Sequence, residues 1–361
     1  MRAYELGNPE LDERVRRLVA DAGEGPHQDL IAEMITTALK FHRDRPGRGD
    51  LKLVNTALKE MRFSLRTFAR HTEPKVTIFG SARLPEDDPN CRMAEELAGR
   101  MAARGWGVIT GAGPGIMAAG NRGAGLAASY GVNIRLPFEA DANGYISAER
   151  NVNFKYFFTR KLAFVKESHA FALFPGGFGT LDETFELLTL VQTGKSDLHP
   201  IVLVEAPGTE YWPVMLSFIK DGLVRRGLIS PDDVHLFRLV NDAKMAEESL
   251  CHFYANYHSQ RYVEGRLVLR LLKEPDAETL DRLNQEFADL LAQGSIETIP
   301  ATAVEIADAD VPELPRLAFF FDRRSYGRLR LLIDRLNDLV TTPERVHPPA
   351  PFDEEQAERP W

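Results

Sequence analysis

Three stretches of this sequence run from strand-like apolar residues through glycines into a helical segment, an arrangement that suits phosphate binding. The richest is Phe174-Pro-Gly-Gly-Phe-Gly-Thr-Leu-Asp-Glu183. Its glycines, Gly176, Gly177 and Gly179, carry no Cβ and let backbone N–H groups approach a ligand closely. The helix start that follows adds unpaired donors and a partial positive charge. Together these make an anion site suited to phosphate, with Thr180 beside it and the carboxylate of Glu183 one turn further on. The same residues have a purely structural reading. Thr180-x-x-Glu183 has the spacing of a capping box, with Thr180 as N-cap and Glu183 at N3. A capping box does not require Gly176 or Gly177, and the two readings can share one helix end.

The second stretch is Thr110-Gly111-Ala-Gly113-Pro-Gly115-Ile-Met117-Ala118. It fits the G-x-G-x-x-[G/A] dinucleotide pattern at Gly113, Gly115 and Ala118. The following strand, Val132 to Leu136, ends in Leu136-Pro137 and lacks the acid that would hold a ribose, so the pattern favours a mononucleotide over NAD. A tight strand–helix turn is the alternative. The third stretch, Ile78-Phe-Gly80-Ser81-Ala-Arg83, sets Ser81 and Arg83 at a strand end facing a crevice, or else on a surface turn. Two cations, Arg160 and Lys161, interrupt an otherwise apolar helical run just before the strand that ends at Pro175. Such cations usually snorkel to solvent; a change of one turn would aim Arg160 at the crevice.

Other patterns fail. Gly194-Lys195-Ser196 resembles the end of a Walker A loop, but Thr189 stands where the earlier glycine is required. The nine histidines never pair as H-x3-H beside an acid, so neither a metal site nor a cofactor is expected. There is no G-x-S-x-G elbow. Cys91 and Cys251 are expected to be packing residues.

The elements that position these residues alternate. Strands are expected at Val76–Phe79, Gly107–Thr110, Val132–Leu136, Ala170–Phe174 and Ile201–Val204. Helices are expected at Met93–Ala103, Ile116–Tyr130, Tyr156–Ser168, Leu181–Thr193 and Trp212–Arg226. Short connections between them imply right-handed crossovers and a parallel sheet covered on both faces. The expected class is therefore α/β, a Rossmann-like parallel sheet with helices on both faces. A helical segment precedes it, with Leu30, Ile31, Met34, Ile35, Ala38 and Leu39 and then Leu53, Val54, Ala57, Leu58, Met61, Leu65 and Phe68 at helical spacing. A small α+β module follows it: strand Tyr262–Leu272, helix Ala277–Ala292, strands Ile296–Ile299 and Leu317–Phe321, and helix Ser325–Leu339. The expected divisions are 1–73 helical, 74–258 nucleotide-binding and catalytic, 259–340 α+β, and 341–361 a proline-rich tail.

Composition narrows the partners. The 361 residues hold 44 Lys and Arg against 53 Asp and Glu, a net charge of −9. There is no basic excess to neutralise a nucleic-acid backbone, so no nucleic-acid partner is expected. No apolar run approaches a membrane span, and the first 30 residues lack the apolar core of a signal peptide. Two cysteines exclude a disulfide framework and fit a reducing cytoplasm.

Pro175-Gly-Gly-Phe-Gly-Thr-Leu-Asp-Glu183 resembles the PGGxGTxxE signature of the LOG (LONELY GUY) family of nucleotide phosphoribohydrolases. Gly80-Ser81, the Gly111–Gly115 turn with Asn121-Arg-Gly-Ala124, Leu136-Pro-Phe-Glu139 and Arg160-Lys161 add to the likeness, which spans roughly residues 74–225. The flanking segments make the chain similar to the long subgroup of nucleotide 5′-monophosphate nucleosidases. The resemblance implies a homodimer or dimer of dimers that hydrolyses a nucleoside 5′-monophosphate, AMP-like or a cytokinin riboside monophosphate, to free base and ribose 5-phosphate. It implies Arg160 and Glu183 as the catalytic pair, with phosphate on Gly176, Gly177, Gly179 and Thr180. Ser81, Gly111, Gly113, Gly115, Met117 and Lys161 would complete the substrate site. Glu139 and Asp182 are the candidates for protonating the leaving base. Many members carry an older lysine decarboxylase label, which no pyridoxal-phosphate lysine site supports here. The alternative is a carrier or sensor that binds a nucleotide or cofactor on the same fold without cleaving it.

Overall fold

A computed structural model describes residues 4–134, 142–343, 345, 346, 348 and 349. The Leu136-Pro-Phe-Glu139 stretch and most of the proline-rich tail lie outside the described residues. The chain divides into two compact units, residues 1–62 and 63–361.

The first unit is helical. Helix α1 (Pro9–Asp21) begins with Pro9 and is capped by the Asn8 side chain, which accepts from the amides of Glu10 and Leu11. Helix α2 (Gln28–Asp44) packs against it, with Val15 and Val19 of α1 buried. Helix α3 (Arg48–Phe68) follows and runs on into the second unit.

The second unit holds two sheets. The larger is built from β1 (Lys75–Phe79), β2 (Gly107–Thr110), β3 (Ser129–Ile134), β4 (Asn151–Phe154), β5 (Ala170–Leu173), β6 (Ile201–Val204) and β7 (Arg238–Val240). All neighbours are parallel, in the order β4-β3-β2-β1-β5-β6-β7. Helices α4 (Pro89–Ala103), α5 (Ile116–Ala124), α6 (Phe157–Glu167), α7 (Phe178–Gln192) and α8 (Tyr211–Phe218) lie between the strands, and α9 (Ala243–His252) follows β7. This is the Rossmann-like sheet that the sequence implied. Val76, Ile78, Val108, Ile109 and the whole of β5 and β6 are buried, which explains why those runs are continuously apolar rather than alternating. After β1 the chain builds outward through β2, β3 and β4, then returns to the other side of β1 with β5. The β1/β5 boundary is thus the switch point, where open α/β sheets leave a crevice at the carboxyl ends of their strands.

The second sheet contains β8 (Tyr257–Val263), β9 (Arg266–Leu271), β10 (Leu291–Ile299) and β11 (Arg316–Phe321). It is antiparallel, in the order β10-β11-β9-β8. Helices α10 (Ala277–Glu286), α11 (Ala303–Ala307) and α12 (Tyr326–Asn337) lie between and after these strands. On one face a buried cluster joins Arg270 and Arg316 through Glu305 of α11, at 3.0 and 3.1 Å.

Several boundaries differ from expectation. The single strand expected at Tyr262–Leu272 is a hairpin, because Glu264 and Gly265 both take positive φ (51° and 82°) and form a tight two-residue turn. The helix expected to reach Tyr130 stops at Ala124, where Gly125 breaks it with φ 74° and β3 begins soon after. The helix expected at Ala277–Ala292 ends at Glu286, and Leu291 already belongs to β10.

Candidate functional site

The crevice at the switch point holds a cavity of about 740 Å3. Its wall is assembled from the loops after β1, β2 and β5, from α6, and from the start of α7. Ser81, Arg83, Gly111, Gly113, Met117, Arg160, Gly176, Gly177, Gly179, Thr180, Asp182 and Glu183 all line it. Stretches far apart in the chain therefore converge on one space.

The helix start is open. Helix α7 begins at Phe178, its N-cap is Gly177, and among the described residues no side chain caps it. The capping-box reading fails for that reason: the helix starts two residues before Thr180, which is itself helical. The first amides of α7 keep the unpaired donors typical of any helix start, and they border the cavity. A Cβ at Gly177 or Gly179 would meet nothing within 4 Å. Gly176 differs. A Cβ there would fall 2.1 Å from the Thr180 hydroxyl and 3.0 Å from the Ser81 amide nitrogen, so this glycine lets two parts of the wall close on each other.

The β1 and β5 loops are joined directly. The Ser81 amide donates to the Pro175 carbonyl at 3.0 Å, and the Ser81 carbonyl accepts from the Ile116 amide at 3.0 Å. Gly115 makes that second bond possible. Its φ is +64°, and a Cβ would stand 2.3 Å from the Ser81 carbonyl oxygen. Gly115 is thus a hinge of the wall and is not among the lining residues. Thr110, Asn121 and Asn143 set the β2 loop: Thr110 Oγ1 donates to Asn121 Oδ1 at 2.6 Å, and Asn143 Nδ2 donates to the Gly113 carbonyl at 3.1 Å.

Arg160 already faces the crevice without any reorientation. Its Nε donates to the Val132 carbonyl at 2.9 Å, and its guanidinium fills the space beside Gly111. The missing side chain at Gly111 thus accommodates Arg160 and the Met117 sulfur, and the missing side chain at Gly113 accommodates the Met117 methyl group. Lys161 points elsewhere. Its ammonium pairs with Glu186 at 2.7 Å, Asp182 at 3.0 Å and Glu183 at 3.3 Å. Burial opposes charge on Lys161, but the hydrogen bonds it donates to Glu186 and Asp182 outweigh it and hold the ammonium pKa above its usual value.

The Glu183 side chain is only 11% exposed. Burial raises its carboxyl pKa above the ordinary 4.5, and the Lys161 and Arg160 charges pull the other way without cancelling the rise. A carboxylate that lines this cavity together with an arginine, with a shifted pKa, has the properties of a general base or an electrostatic stabiliser of positive charge.

Sequence reasoning missed Tyr211. This residue opens α8 and lines the cavity, and its hydroxyl donates to the Gly176 carbonyl at 2.7 Å. The carboxylate of Glu205 accepts from the Tyr211 and Trp212 amides at 2.8 and 2.9 Å and so anchors the start of α8. No local pattern marks a tyrosine 35 residues from its partner. Phe178 was also overlooked; it is 93% exposed at the rim. Glu139 lies outside the described residues.

A family model described as "Possible lysine decarboxylase" matches residues 111–250. The chain is 41% identical over 85 residues to cytokinin riboside 5'-monophosphate phosphoribohydrolase LOG1 of Arabidopsis thaliana, across 24% of this chain and 38% of that protein. It is 44% identical over 72 residues to LOG3 of the same plant, across 20% of this chain and 32% of that one. The chain thus spans between 32% and 38% of the length of these curated relatives. Among solved structures, the molybdenum cofactor carrier protein MCP from Chlamydomonas reinhardtii aligns over 49% of this chain and 95% of its own, at 20% identity and a TM-score of 0.33. The sequence matches bear out the resemblance read from the PGGxGTxxE stretch.

Proposed function

We propose that this chain, which is similar to the LOG proteins of Arabidopsis thaliana and matches a family model over residues 111–250, hydrolyses the N-glycosidic bond of a nucleoside 5′-monophosphate. The observation that carries this reading is the position of Glu183. It is a shielded carboxylate that shares one cavity with Arg160 and with the uncapped, glycine-lined start of α7. The 5′-phosphate sits on the amides of Gly177, Gly179 and Thr180. Glu183 stands three residues past Thr180, about 4.5 Å along the helix axis at ~1.5 Å per residue, so the phosphate anchor leaves the ribose over its carboxylate. Binding energy from the phosphate, which takes no part in bond cleavage, orients the sugar.

The reaction balances with water alone. The C1′–N bond breaks, the water oxygen bonds to C1′, and the departing nitrogen gains a proton. Positive charge develops on the ribose as it does in glycoside cleavage. The Glu183 carboxylate stabilises that charge and takes the proton of the attacking water. Arg160 holds ribose hydroxyls or phosphate through charge-assisted bonds. Lys161, engaged by three carboxylates, is a positioning residue that fixes Glu183. Asp182 lines the cavity and is the described candidate for protonating the base. As in the family, two copies of the chain are proposed to pair. The half-exposed Phe157, Phe158 and Leu162 on α6 suit a covered surface there.

The test is mass spectrometry of products from a mixed pool of nucleoside 5′-monophosphates that contains AMP and a cytokinin riboside monophosphate. Free base and ribose 5-phosphate are expected in equal amounts, with the preferred base read directly. Nucleotide bound tightly and recovered intact would favour a non-catalytic carrier and overturn the reading.

A further inference from the structure

Among the described residues, the charged side chains that line the cavity are Arg83, Arg160, Asp182 and Glu183. Their charges cancel, yet a phosphate monoester brings close to two negative charges at neutral pH. The two carboxylates oppose it, and the start of α7 offers only about half a positive charge. A phosphate held here therefore needs a cation of its own.

Two of the three nearby cations are committed. The Arg160 Nε donates to the Val132 carbonyl at 2.9 Å, and its guanidinium lies 5.2 Å from the centre of the Phe164 ring. Lys161 is shared by three carboxylates and is not a lining residue. Arg83 differs from both. It is exposed, and among the described residues its guanidinium makes no hydrogen bond or ion pair. The acids that follow it in the same loop do not quench it. Glu86 pairs with Arg122 at 3.4 Å, and Asp88 accepts from the amide and the side chain of Asn90 at 2.8 and 3.1 Å.

The backbone under Arg83 is anchored to the glycine cradle. The Arg83 amide donates to Ser81 Oγ at 3.1 Å, and the Ser81 amide donates to the carbonyl of Pro175, the residue before Gly176. Two residues of chain span at most about 7 Å. A long, forked side chain is thus rooted close to the segment that carries the α7 amides, and a guanidinium matches phosphate oxygens with two parallel hydrogen bonds.

We infer that Arg83 is a substrate-binding residue that closes on the 5′-phosphate from the β1 loop, leaving Arg160 to the ribose. The inference rests on the phosphate placement given under Proposed function, but not on hydrolysis.

The test uses the full chain and the variants Arg83→Gln and Arg83→Lys. Binding of ribose 5-phosphate is measured by calorimetry, which needs no turnover, and kcat and KM are measured for release of base from AMP. With no partner lost among the described residues, the thermal melts should superimpose. In Arg83→Gln, the Kd for ribose 5-phosphate and the KM for AMP should both rise about 10- to 100-fold, the worth of a hydrogen bond between charged groups. The kcat should stay within about threefold. Arg83→Lys keeps the charge without the fork and should recover part of the loss. An unchanged Kd for ribose 5-phosphate overturns the inference, whether or not base is released. So does a KM that rises while ribose 5-phosphate binding stays constant, because the guanidinium would then serve the base. A fall in kcat at constant KM also overturns it, since Arg83 would then act on the transition state. A wild type that releases no base, yet binds ribose 5-phosphate more tightly than Arg83→Gln does, would defeat the hydrolytic reading and support the role of Arg83. A wild type that binds no ribose 5-phosphate overturns both.

Discussion

Glu183→Gln is the sharpest test of the reaction because it removes a charge and almost no volume. A carboxylate about 4 Å from a developing unit charge contributes about 4 kcal/mol at an effective dielectric of about 20. At ~1.36 kcal/mol per decade that is about a thousandfold. The side chain is mostly shielded from water, so little of this is lost to screening. Comparable preorganised groups contribute about 100- to 1,000-fold when deleted. The expected loss in kcat is therefore about 100- to 1,000-fold, with KM within about threefold, the signature of an interaction made mainly in the transition state. The fold should survive, because Lys161 retains Asp182 and Glu186 as partners. Stability should even rise at high pH. The folded pKa of Glu183 lies above its ordinary value, so the group's favourable contribution is present at low pH and is lost as pH rises through that folded pKa. The glutamine does not ionise, so at about pH 8 its Tm should equal or exceed that of wild type. Release of base from AMP, followed by chromatography, measures kcat, and a thermal melt measures Tm. A well-folded Glu183→Gln protein with kcat within about threefold of wild type would refute the role given to this carboxylate.

The remaining expectations concern the groups around it. The acid limb of the kcat/KM profile should lie above pH 4.5, because burial raises the Glu183 pKa. Lys161→Met should move that limb to still higher pH by removing a charge that favours the ionised carboxylate; an unmoved limb would detach Lys161 from Glu183. Gly179→Ala should fold normally, since its Cβ meets open space, yet raise KM for the 5′-monophosphate about tenfold or more while leaving hydrolysis of the unphosphorylated nucleoside unchanged. Gly176→Ala should instead lower Tm, because its Cβ strikes the Thr180 hydroxyl. Tyr211→Phe removes one hydrogen bond to the Gly176 carbonyl, a loss of about 1 kcal/mol, and should raise KM with little change in kcat. Equal KM in wild type and variant would show that the loop holds its shape without that bond.

The central sheet was legible because its strands are short apolar runs, two of which, β1 and β2, lead straight into glycine, and burial on both faces leaves little else that such runs can be. Strand β4, Asn-Val-Asn-Phe, escaped notice. It is an edge strand whose alternation of polar and apolar residues is too short to stand out. The hairpin at Glu264-Gly265 was hidden because Glu-Gly is not a strong hairpin-turn pair and the first strand, Tyr257–Val263, is interrupted by His258, Ser259, Gln260 and Arg261. Within the site, the glycines and Arg160 could be found because their types sit at strand ends and helix starts. Their individual duties could not. Whether a missing Cβ leaves open space, as at Gly177, or makes room for a neighbouring side chain, as at Gly111, depends on atoms distant in sequence. Lys161 shows the same limit. It sits beside Arg160 in the chain, yet the helical rotation of about 100° per residue turns it toward the acids of α7.

The bond from the Ser81 amide to the Pro175 carbonyl has an implication for transplantation. The signature segment is not a portable cassette. Grafted alone onto another α/β scaffold, residues 174–183 would bring the open helix end but neither the serine amide that braces it nor the tyrosine that fixes its carbonyl. An engineer wishing to move this cradle would have to carry three separate crossovers and preserve their lengths together.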